Sequence, residues 1–228
     1  MSELISSEIR RRGITRLCHF TKSSKLVHIL TSEDGIVANT FLEDAKETLH
    51  KNDERRLDNK EDHICCSVQY TNAWYLKRIK DLDPVFKEWV VIFIDPSVML
   101  DETTYFCHRN AAANAGAFIS RGDEAFTGMF DQVVQGQFRM TRTRNMLLNS
   151  TTDGQAEVLV YKNIPRDKII GVAVPSLQQA KLQRAMFVVL NIPDIPIIVS
   201  PDLFSESWNR KVKEGRPIDE FVYEGELL

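Results

Sequence analysis

Apolar residues recur at two spacings along the first half of the chain, and these spacings predict helices alternating with strands. From Glu3 to Arg12 the spacing is helical and Gly13 follows, so the sequence predicts a short amphipathic helix that ends there. A helix is also predicted over "SSKLVHIL", where Ser23 or Ser24 can cap the first turn. The predicted strands are "TRLCHFT", "HICCSVQY" and "EWVVIFIDP", with a helix over "NAWYLKRIKDLD" between the last two.

The second half of the chain has the same mixed pattern. Alanine is the best helix former, so "RNAAANAGAFI" predicts a helix, as does "GDEAFTGMFDQVV" with its apolar residues at helical spacing. Strands are predicted over "AEVLVY", "IIGVAVP" and "IPIIVSP", and a helix over "SLQQAKLQRAMFVVLN". Two long polar stretches interrupt these elements, Thr31–Asp62 and Gln135–Gly154, and such stretches in compact domains are usually functional or mobile.

The order of the elements predicts an α+β fold with largely antiparallel sheets, because strands and helices do not follow a regular βαβ series. The chain contains neither G-x-G-x-x-G nor G-x-x-x-x-G-K-[ST], which removes the usual Rossmann and P-loop interpretations. No internal repeat, low-complexity segment or linker divides the sequence. We therefore expect a single domain over residues 1–228.

Composition and charge exclude several classes of protein. The net charge is −3, so there is no global basic field, and any contact with nucleic acid must come from a local patch. The four cysteines have no CxxC spacing, which favours reduced thiols and predicts neither a disulfide framework nor a metal site. The apolar runs are too short to cross a bilayer and the first residues do not form a secretory signal, so we expect a cytoplasmic protein without a membrane partner.

One carboxylate interrupts the apolar strand "AEVLVY". Alternation places Ala156 and Val158 on one face of this strand and Glu157 and Leu159 on the other. Burying an unpaired carboxylate is costly, so Glu157 either meets water or faces a cleft in which it has a chemical role. From this stretch alone, an edge-strand acid in water is the simpler interpretation.

Other polar residues are candidates for chemistry. His19 and Thr21 share one face of the first predicted strand and could bind a sugar hydroxyl, although a lone histidine there is more often structural. Arg55 and Arg56 precede the second predicted strand. They are either a solvated charge pair or a guanidinium held near a phosphate or a reacting base.

The second polar stretch is locally basic. It carries Arg139, Arg142 and Arg144, has no acidic residue between positions 131 and 153, and leads directly to Glu157. Basic loops often have no specific role. Beside a carboxylate, however, such a loop could hold a polyanionic substrate at that acid.

Four segments together resemble the DarT family of DNA ADP-ribosyltransferases: "LCHFTKSSKLVHIL", "RRLDNKEDHICCSVQYTNAWYL", "FCHRNAAANAG" and "GQAEVLVYKNIPRDKIIGVAVP". The resemblance implies the ADP-ribosyltransferase fold, a split β-sandwich of two small, mostly antiparallel sheets with flanking helices and NAD in the cleft between them. It also implies a toxin that uses NAD as co-substrate and transfers ADP-ribose to a base in single-stranded DNA. The expected partner is an antitoxin protein that binds the toxin or removes the ADP-ribose.

The resemblance assigns roles to residues of this sequence. Glu157 matches the catalytic glutamate, whose carboxylate would stabilise the oxocarbenium-like centre while the base attacks. Arg56, or alternatively Arg55, matches the essential arginine. The loop from Asp34 to Asp62 would fold over NAD, and the basic stretch with its three arginines would recognise the DNA.

The residues expected to bind NAD lie on and near the first two predicted strands. They are His19, Phe20, Thr21, Ser67 and Tyr70. Ser67 stands where the family has an aromatic residue, so the resemblance leaves open whether Tyr70, Trp74 or Tyr75 stacks on nicotinamide. Lys25 stands where the family often has an asparagine.

Several alternatives remain open at this point. The target base could be guanine or thymine, and the acceptor could be RNA or protein instead of DNA. The basic stretch favours a nucleic acid without choosing between DNA and RNA. A non-enzymatic binding module, in which Glu157 is structural, is the third possibility. Asn110 could read a base edge together with Arg109, but we favour a role as a helix cap.

Overall fold

Strands outnumber helices in the part of the chain that the computed structural model describes, which comprises residues 2–42, 58–83, 85–136, 138–192 and 194–225. The helices are α1 (Glu3–Arg12), α2 (Ser23–Thr31), α3 (Ala73–Leu82), α4 (Gly122–Gly128), α5 (Leu177–Val189) and α6 (Ser207–Lys213). The strands are β1 (Leu17–Lys22), β2 (Ile36–Val37), β3 (His63–Val68), β4 (Trp89–Ile94), β5 (Tyr105–Cys107), β6 (Ile119–Ser120), β7 (Val133–Val134), β8 (Met140–Thr141), β9 (Glu157–Tyr161), β10 (Asn163–Ile164), β11 (Ile169–Val174), β12 (Ile197–Val199) and β13 (Phe221–Val222).

Nine of these strands form one sheet, in the order β13-β12-β11-β4-β1-β3-β9-β5-β6. Neighbouring strands are antiparallel except β11 and β12, which are parallel. The prediction of two small sheets is therefore wrong, while the mixed helix and strand content and the mostly antiparallel pairing agree with the predicted α+β class. Two pairs of short strands, β2 with β10 and β7 with β8, lie outside the large sheet.

The large sheet is nearly divided between β1 and β3. Strand β1 pairs with β4 along its whole length from Leu17 to Lys22, but it pairs with β3 at two positions, Leu17 with Val68 and Cys18 with Ser67. Beyond Cys18 this ladder ends, and residues of both strands line a cleft at the seam. A narrow seam explains why one continuous sheet can still present a cleft at its centre.

Helices cover both faces of the sheet. Helices α1, α2, α4 and α5 pack on one face, where Leu26, Phe126 and Phe187 belong to the largest cluster of buried side chains. Helices α3 and α6 pack on the opposite face, where Leu76 and Trp208 are buried. Burial of apolar surface contributes about 25 cal/mol per Å², so these two layers hold the seam and its cleft in place.

Several helix boundaries differ from the prediction for physical reasons. Helix α1 ends as predicted at Gly13, which has a left-handed φ of 65°. Helix α2 has Lys22 at its N-cap and no side-chain cap, so the predicted serine cap is wrong. The helix predicted over "GDEAFTGMFDQVV" stops at Gly128, because Val133 and Val134 pair with β8.

The helix predicted over "RNAAANAGAFI" does not form. Asn114 and Ala115 have φ values of 51° and 53°, in the left-handed region that an α-helix excludes. The segment Ala113–Gly116 is therefore a pair of tight 3-10 turns interrupted at these two residues, and strand β6 follows it. Alanine has a high helix propensity, so tertiary contacts of this segment must override it.

Candidate active site

Glu157 is the first residue of β9, an inner strand that pairs with β3 on one side and β5 on the other. The side chain is only 6% exposed, and its Cα partner across the ladder is Cys107. The edge-strand interpretation is therefore wrong. The predicted alternation agrees with the structure, since Ala156 and Val158 lie in the main core while Glu157 lines the cleft.

Three neutral amide groups donate hydrogen bonds to the Glu157 carboxylate. Oε1 accepts from Asn110 Nδ2 at 3.2 Å and from Asn72 Nδ2 at 3.4 Å. Oε2 accepts from the backbone N–H of Ala111 at 2.9 Å. Because donors reach both oxygens, the carboxylate has one defined orientation in the cleft.

The two asparagines are oriented in the same way. Asn72 Oδ1 accepts from Tyr75 N at 3.1 Å and caps α3, while Asn110 Oδ1 accepts from Ala112 N at 3.0 Å. Each oxygen is engaged by backbone, so each amide nitrogen is turned towards Glu157. The Ala-rich helix that Asn110 was predicted to cap does not form, and Asn110 Oδ1 stabilises a turn instead.

The same contacts explain why the Ala-rich segment is not helical. Ala111 donates its backbone N–H to Glu157, and Asn110 donates its side-chain amide to the same carboxylate. Charge-assisted hydrogen bonds to a buried carboxylate outweigh the few tenths of a kcal/mol per residue that helix propensity contributes. Asn72 was missed as a site residue, although its position before "AWYL" is a readable helix-cap signal.

His19 and Phe20, both on β1, line the same cleft as Glu157. His19 Nδ1 lies 2.9 Å from the carbonyl oxygen of Cys65 on β3. A carbonyl oxygen can only accept, so Nδ1 of His19 carries a proton and donates to it. Thr21, by contrast, is 1% exposed and does not line the cleft.

Of the aromatic residues considered for the NAD site, Phe20 and Tyr75 line the cleft and Tyr70 does not. Ser67 lines the cleft, where its hydroxyl accepts from the backbone N–H of Asn72 at 3.2 Å. The Tyr70 ring stacks on that of Trp208, with 4.9 Å between the ring centroids, and burial raises the pKa of Tyr70 to about 12. Tyr75 lines the cleft, with its ring centroid 5.9 Å from that of Phe20.

The structure separates the three arginines of the basic stretch. Arg142 donates from Nη1 to the carbonyl of Ser150 and from Nη2 to that of Leu147, both at 2.6 Å, so it holds its own loop together. Burial and the positive charges of α1 lower the pKa of Arg142. Arg139 and Arg144 are exposed and form no ion pair with the described residues.

Strands β7 and β8 form a hairpin, and the described residues between them, Gln135, Gly136, Phe138 and Arg139, are its tip. Arg109 Nη1 donates to the carbonyl of Gln135 at 3.2 Å. A Cβ on Gly136 would lie 1.7 Å from the same guanidinium nitrogen, so glycine is needed for this contact. Arg109 precedes Asn110 in the chain, and the hairpin tip is therefore fixed beside the donors of Glu157.

Two features predicted for the site, the essential arginine and the loop over NAD, lie wholly or mostly outside the described residues. Arg55 and Arg56 lie outside the described residues, as does most of the loop predicted to fold over NAD; of that loop's described part, Ile36–Asn39 line the cleft. Lys25 is partly buried, and burial together with the charge of Lys22 lowers its pKa to about 8. No group of three or more His, Cys, Asp or Glu side chains suited to a metal occurs among the residues that the structure describes.

Comparisons with known proteins agree on one family. The sequence model of the family described as DarT, ssDNA thymidine ADP-ribosyltransferase, matches residues 18–205. Comparison with curated proteins gave no match.

Solved structures of similar fold carry the same family name. Thermus sp. 2.9 DarT in complex with NAD+ is 14% identical with a TM-score of 0.58, and the alignment covers 84% of this chain and 98% of that one. The same protein in complex with ADP-ribosylated ssDNA is 13% identical with a TM-score of 0.55, covering 85% and 97%. Thermosipho africanus DarTG in complex with ADP-ribose is 15% identical with a TM-score of 0.57, covering 83% of this chain. This chain spans 51% of the DarTG chain, about half its length.

Proposed function

This chain belongs to the DarT family, and we propose that it transfers ADP-ribose from NAD to a thymine base in single-stranded DNA, with Glu157 as the catalytic residue. Membership confirms the predicted family and, with it, the enzyme class of NAD-dependent DNA ADP-ribosyltransferases. The observation that carries the residue assignment is the buried Glu157 carboxylate, which three neutral amides of the described residues orient in the cleft that His19 also lines.

The residues of the cleft suit NAD as the co-substrate. The His19 ring is held in place by its hydrogen bond to the Cys65 carbonyl, and the rings of Phe20 and Tyr75 offer flat apolar surface for a nicotinamide. These three side chains lie on the same cleft as the Glu157 carboxylate. We assign Tyr75, in place of Tyr70, as the ring beside nicotinamide, and Ser67 as a residue that shapes the turn before α3.

For this reaction the protein mainly has to position the substrates and stabilise the charge that develops on the ribose. When the bond between C1′ and nicotinamide breaks, nicotinamide leaves with the electron pair and becomes neutral, and positive charge develops on the ribose. The fixed Glu157 carboxylate stabilises that charge without reorganising, which is the most effective form of electrostatic catalysis. The base nitrogen then supplies the electron pair of the new bond to C1′ and releases its proton to water.

The β7–β8 hairpin suits a single strand of DNA. Phe138 is 69% exposed and can stack on an unpaired base, while the neighbouring guanidinium of Arg139 can meet a phosphate. Arg144 lies exposed farther along the same stretch. We infer that Arg139 and Arg144 contact DNA, whereas Arg142 maintains the loop that presents them.

A panel of oligonucleotides tests the substrate. The protein and NAD are mixed with single strands of dA and dC that contain one dT, one dG or neither, and with RNA of matched sequence, and the intact masses are measured. One added ADP-ribose on the dT strand alone is expected. An adduct on dG alone would change the target base, and one on RNA would change the acceptor. No adduct on any strand would contradict the proposal and favour a protein acceptor or a binding role.

The role as a toxin with an antitoxin partner is a further proposal. Its support is that this chain aligns with only about half of Thermosipho africanus DarTG, so a relative exists in which a comparable region is joined to a further one. Expression of the wild-type chain should arrest bacterial growth and mark the DNA, and Glu157→Gln should do neither. Unimpaired growth while the DNA is marked would contradict the toxin role.

The predictions of location and domain number stay predictions. None of the helices among the described residues is long and apolar enough to cross a membrane. We propose one domain over residues 1–228, because Glu220 near the C-terminus pairs with Arg16 near the N-terminus at 2.8 Å. Limited proteolysis that yields one resistant core containing both residues would support this proposal, and release of a stable fragment with only one of them would contradict it.

A further inference from the structure

The C-terminal segment, residues 206–225, lies outside the region that the DarT family model matches, which ends at residue 205. It contains α6, a helix of only seven residues, whose Trp208 is 1% exposed. A helix this short has little stability of its own, so packing must hold it. What it packs against is the turn that delivers one of the hydrogen bonds to Glu157.

That turn, residues 69–72, connects β3 to α3 and ends at Asn72. Trp208 Nε1 donates to the carbonyl oxygen of Thr71 at 3.0 Å. The indole also stacks on the Tyr70 ring, with 4.9 Å between the ring centroids and an interplanar angle of 16°. Thr71 is the residue immediately before Asn72. One indole therefore fixes the backbone from which Asn72 reaches Glu157.

The same indole also lies against the turn that precedes Glu157. A Cβ on Gly154 would lie 2.8 Å from a ring carbon of Trp74 and 3.1 Å from one of Trp208. The Trp74 and Trp208 rings meet edge to face at 5.9 Å. Trp208 thus contacts both backbone segments that position the carboxylate, the turn carrying Asn72 and the turn leading into β9.

A second contact of the segment acts on the other end of the 69–72 turn. Glu220 accepts two hydrogen bonds from the guanidinium of Arg16, at 3.0 and 2.8 Å, and Arg16 Nε donates to the carbonyl of Gln69 at 3.1 Å. Gln69 has a φ of 62°, an unfavourable conformation for a residue other than glycine. External contacts are needed to keep such a turn in one geometry.

We propose that the C-terminal segment positions the catalytic centre: Trp208, supported by the Arg16–Glu220 pair, holds the 69–72 turn so that Asn72 orients Glu157. Trp208 is a positioning residue, since it does not line the cleft. The inference rests on the proposed function, because it assigns a role in ADP-ribosyl transfer. It predicts a loss in the rate of transfer rather than in the binding of NAD or DNA.

Trp208→Phe tests this directly, because phenylalanine keeps a stacking ring and removes the N–H donor. We expect kcat to fall about tenfold, as a small misplacement of a catalytic group does. KM for NAD and for the oligonucleotide should stay within about twofold of wild type, because the indole is buried and does not line the cleft. Phe187→Leu, in α5 on the opposite face of the sheet, is the control for general loss of packing and should keep its kcat.

A double-mutant cycle asks whether Trp208 acts through Asn72. If it does, Trp208→Phe should reduce kcat no further once Asn72→Ala is present. Additive losses, a wild-type kcat in Trp208→Phe, or an equal loss in Phe187→Leu would overturn the proposal.

Hydrogen exchange gives a readout that does not depend on transfer activity. Backbone amides of residues 69–75 should exchange faster in Trp208→Phe than in wild type or Phe187→Leu. Unchanged exchange there would overturn the proposal even if kcat fell. If the wild-type chain transferred nothing, the proposed function would fail by the oligonucleotide panel, whereas this exchange comparison would still decide whether Trp208 holds the turn.

Discussion

The two sides of the proposed reaction centre are built differently. Glu157 is 6% exposed and receives hydrogen bonds from three amides, whereas Phe138 at the hairpin tip is 69% exposed. Arg139 and Arg144 are likewise exposed and without ion pairs to the described residues. The Glu157 side is oriented in advance, and the side that we assign to DNA presents exposed groups.

This difference indicates how the work of the enzyme is divided. A carboxylate that is already oriented needs no reorganisation as charge develops, so its surroundings should govern the rate. Exposed cations and an exposed ring interact only when a strand arrives, so they should govern binding and its salt dependence. Variants on the two sides should therefore change different kinetic constants.

The largest effect within the shell of Glu157 is expected for its asparagines. Asn110→Ala removes a hydrogen bond to Oε1 at 3.2 Å, and kcat should fall about tenfold to a hundredfold, since the carboxylate loses a positioned donor. KM for the oligonucleotide should change little. Steady-state kinetics at saturating NAD would measure both constants.

Asn110→Asp provides the matched control. Aspartate keeps the acceptor that holds the backbone N–H of Ala112, but it removes the donor and places a negative charge beside Glu157. Its kcat should fall at least as far as that of Asn110→Ala. A wild-type kcat in both variants would show that this contact does not govern the rate.

The next effect concerns the three arginines, which sequence reasoning treated as one group. Arg139→Ala and Arg144→Ala should each weaken binding of single-stranded DNA and lower the slope of log K against log salt by about 0.7. Their thermal stability should stay close to wild type, because neither side chain forms an ion pair or hydrogen bond with the described residues. Fluorescence anisotropy at several salt concentrations would measure the slopes.

Arg142→Ala should behave in the opposite way. It removes two charge-assisted hydrogen bonds to carbonyls of its own loop and should lower the free energy of unfolding by about 2 kcal/mol or more. Denaturant unfolding would measure this loss. An unchanged stability, or a salt slope that falls as in Arg139→Ala, would place Arg142 among the DNA contacts instead.

The smallest expected effect is a change in the rate at which a cysteine of the cleft is alkylated. Cys65 is partly exposed and lines the cleft, whereas burial raises the pKa of the Cys18 thiol to about 11. Cys66 and Cys107 are also buried. Brief treatment with iodoacetamide near pH 8 should therefore label Cys65 first, because alkylation needs an accessible thiolate.

NAD should slow this labelling by occupying the cleft, and peptide mass spectrometry would locate the label. Cys65→Ser is the matched control and should take up no label under the same conditions. Labelling of Cys18 before Cys65, or a rate that NAD does not change, would contradict the assignment of the cleft to NAD.

Local sequence patterns predicted the elements that short-range interactions determine. The spacing of apolar residues and Gly13 located α1, and alternation placed Glu157 opposite Ala156 and Val158. The helix expected over "RNAAANAGAFI" failed because Ala111 and Asn110 donate to a carboxylate nearly fifty positions away. Propensity contains no information on such a partner.

The site shows the same limit. The resemblance led to His19, Ser67 and Glu157, which the structure brings to one cleft. It also favoured Tyr70, whose ring is instead packed on Trp208, far along the chain from any matched motif. The sheet is continuous because two residue pairs join β1 to β3 at the seam. No local sequence pattern indicates whether two strands pair at so few positions.

The most direct test of the central claim is single-turnover transfer by Glu157→Gln, compared with wild type at saturating NAD and saturating dT-containing single strand. Glutamine has almost the same shape as glutamate, so the fold and the binding of both substrates should be preserved. The account predicts transfer at least about a thousandfold slower, because the charge that stabilises the ribose cation is gone. A rate within about tenfold of wild type would show that Glu157 is structural.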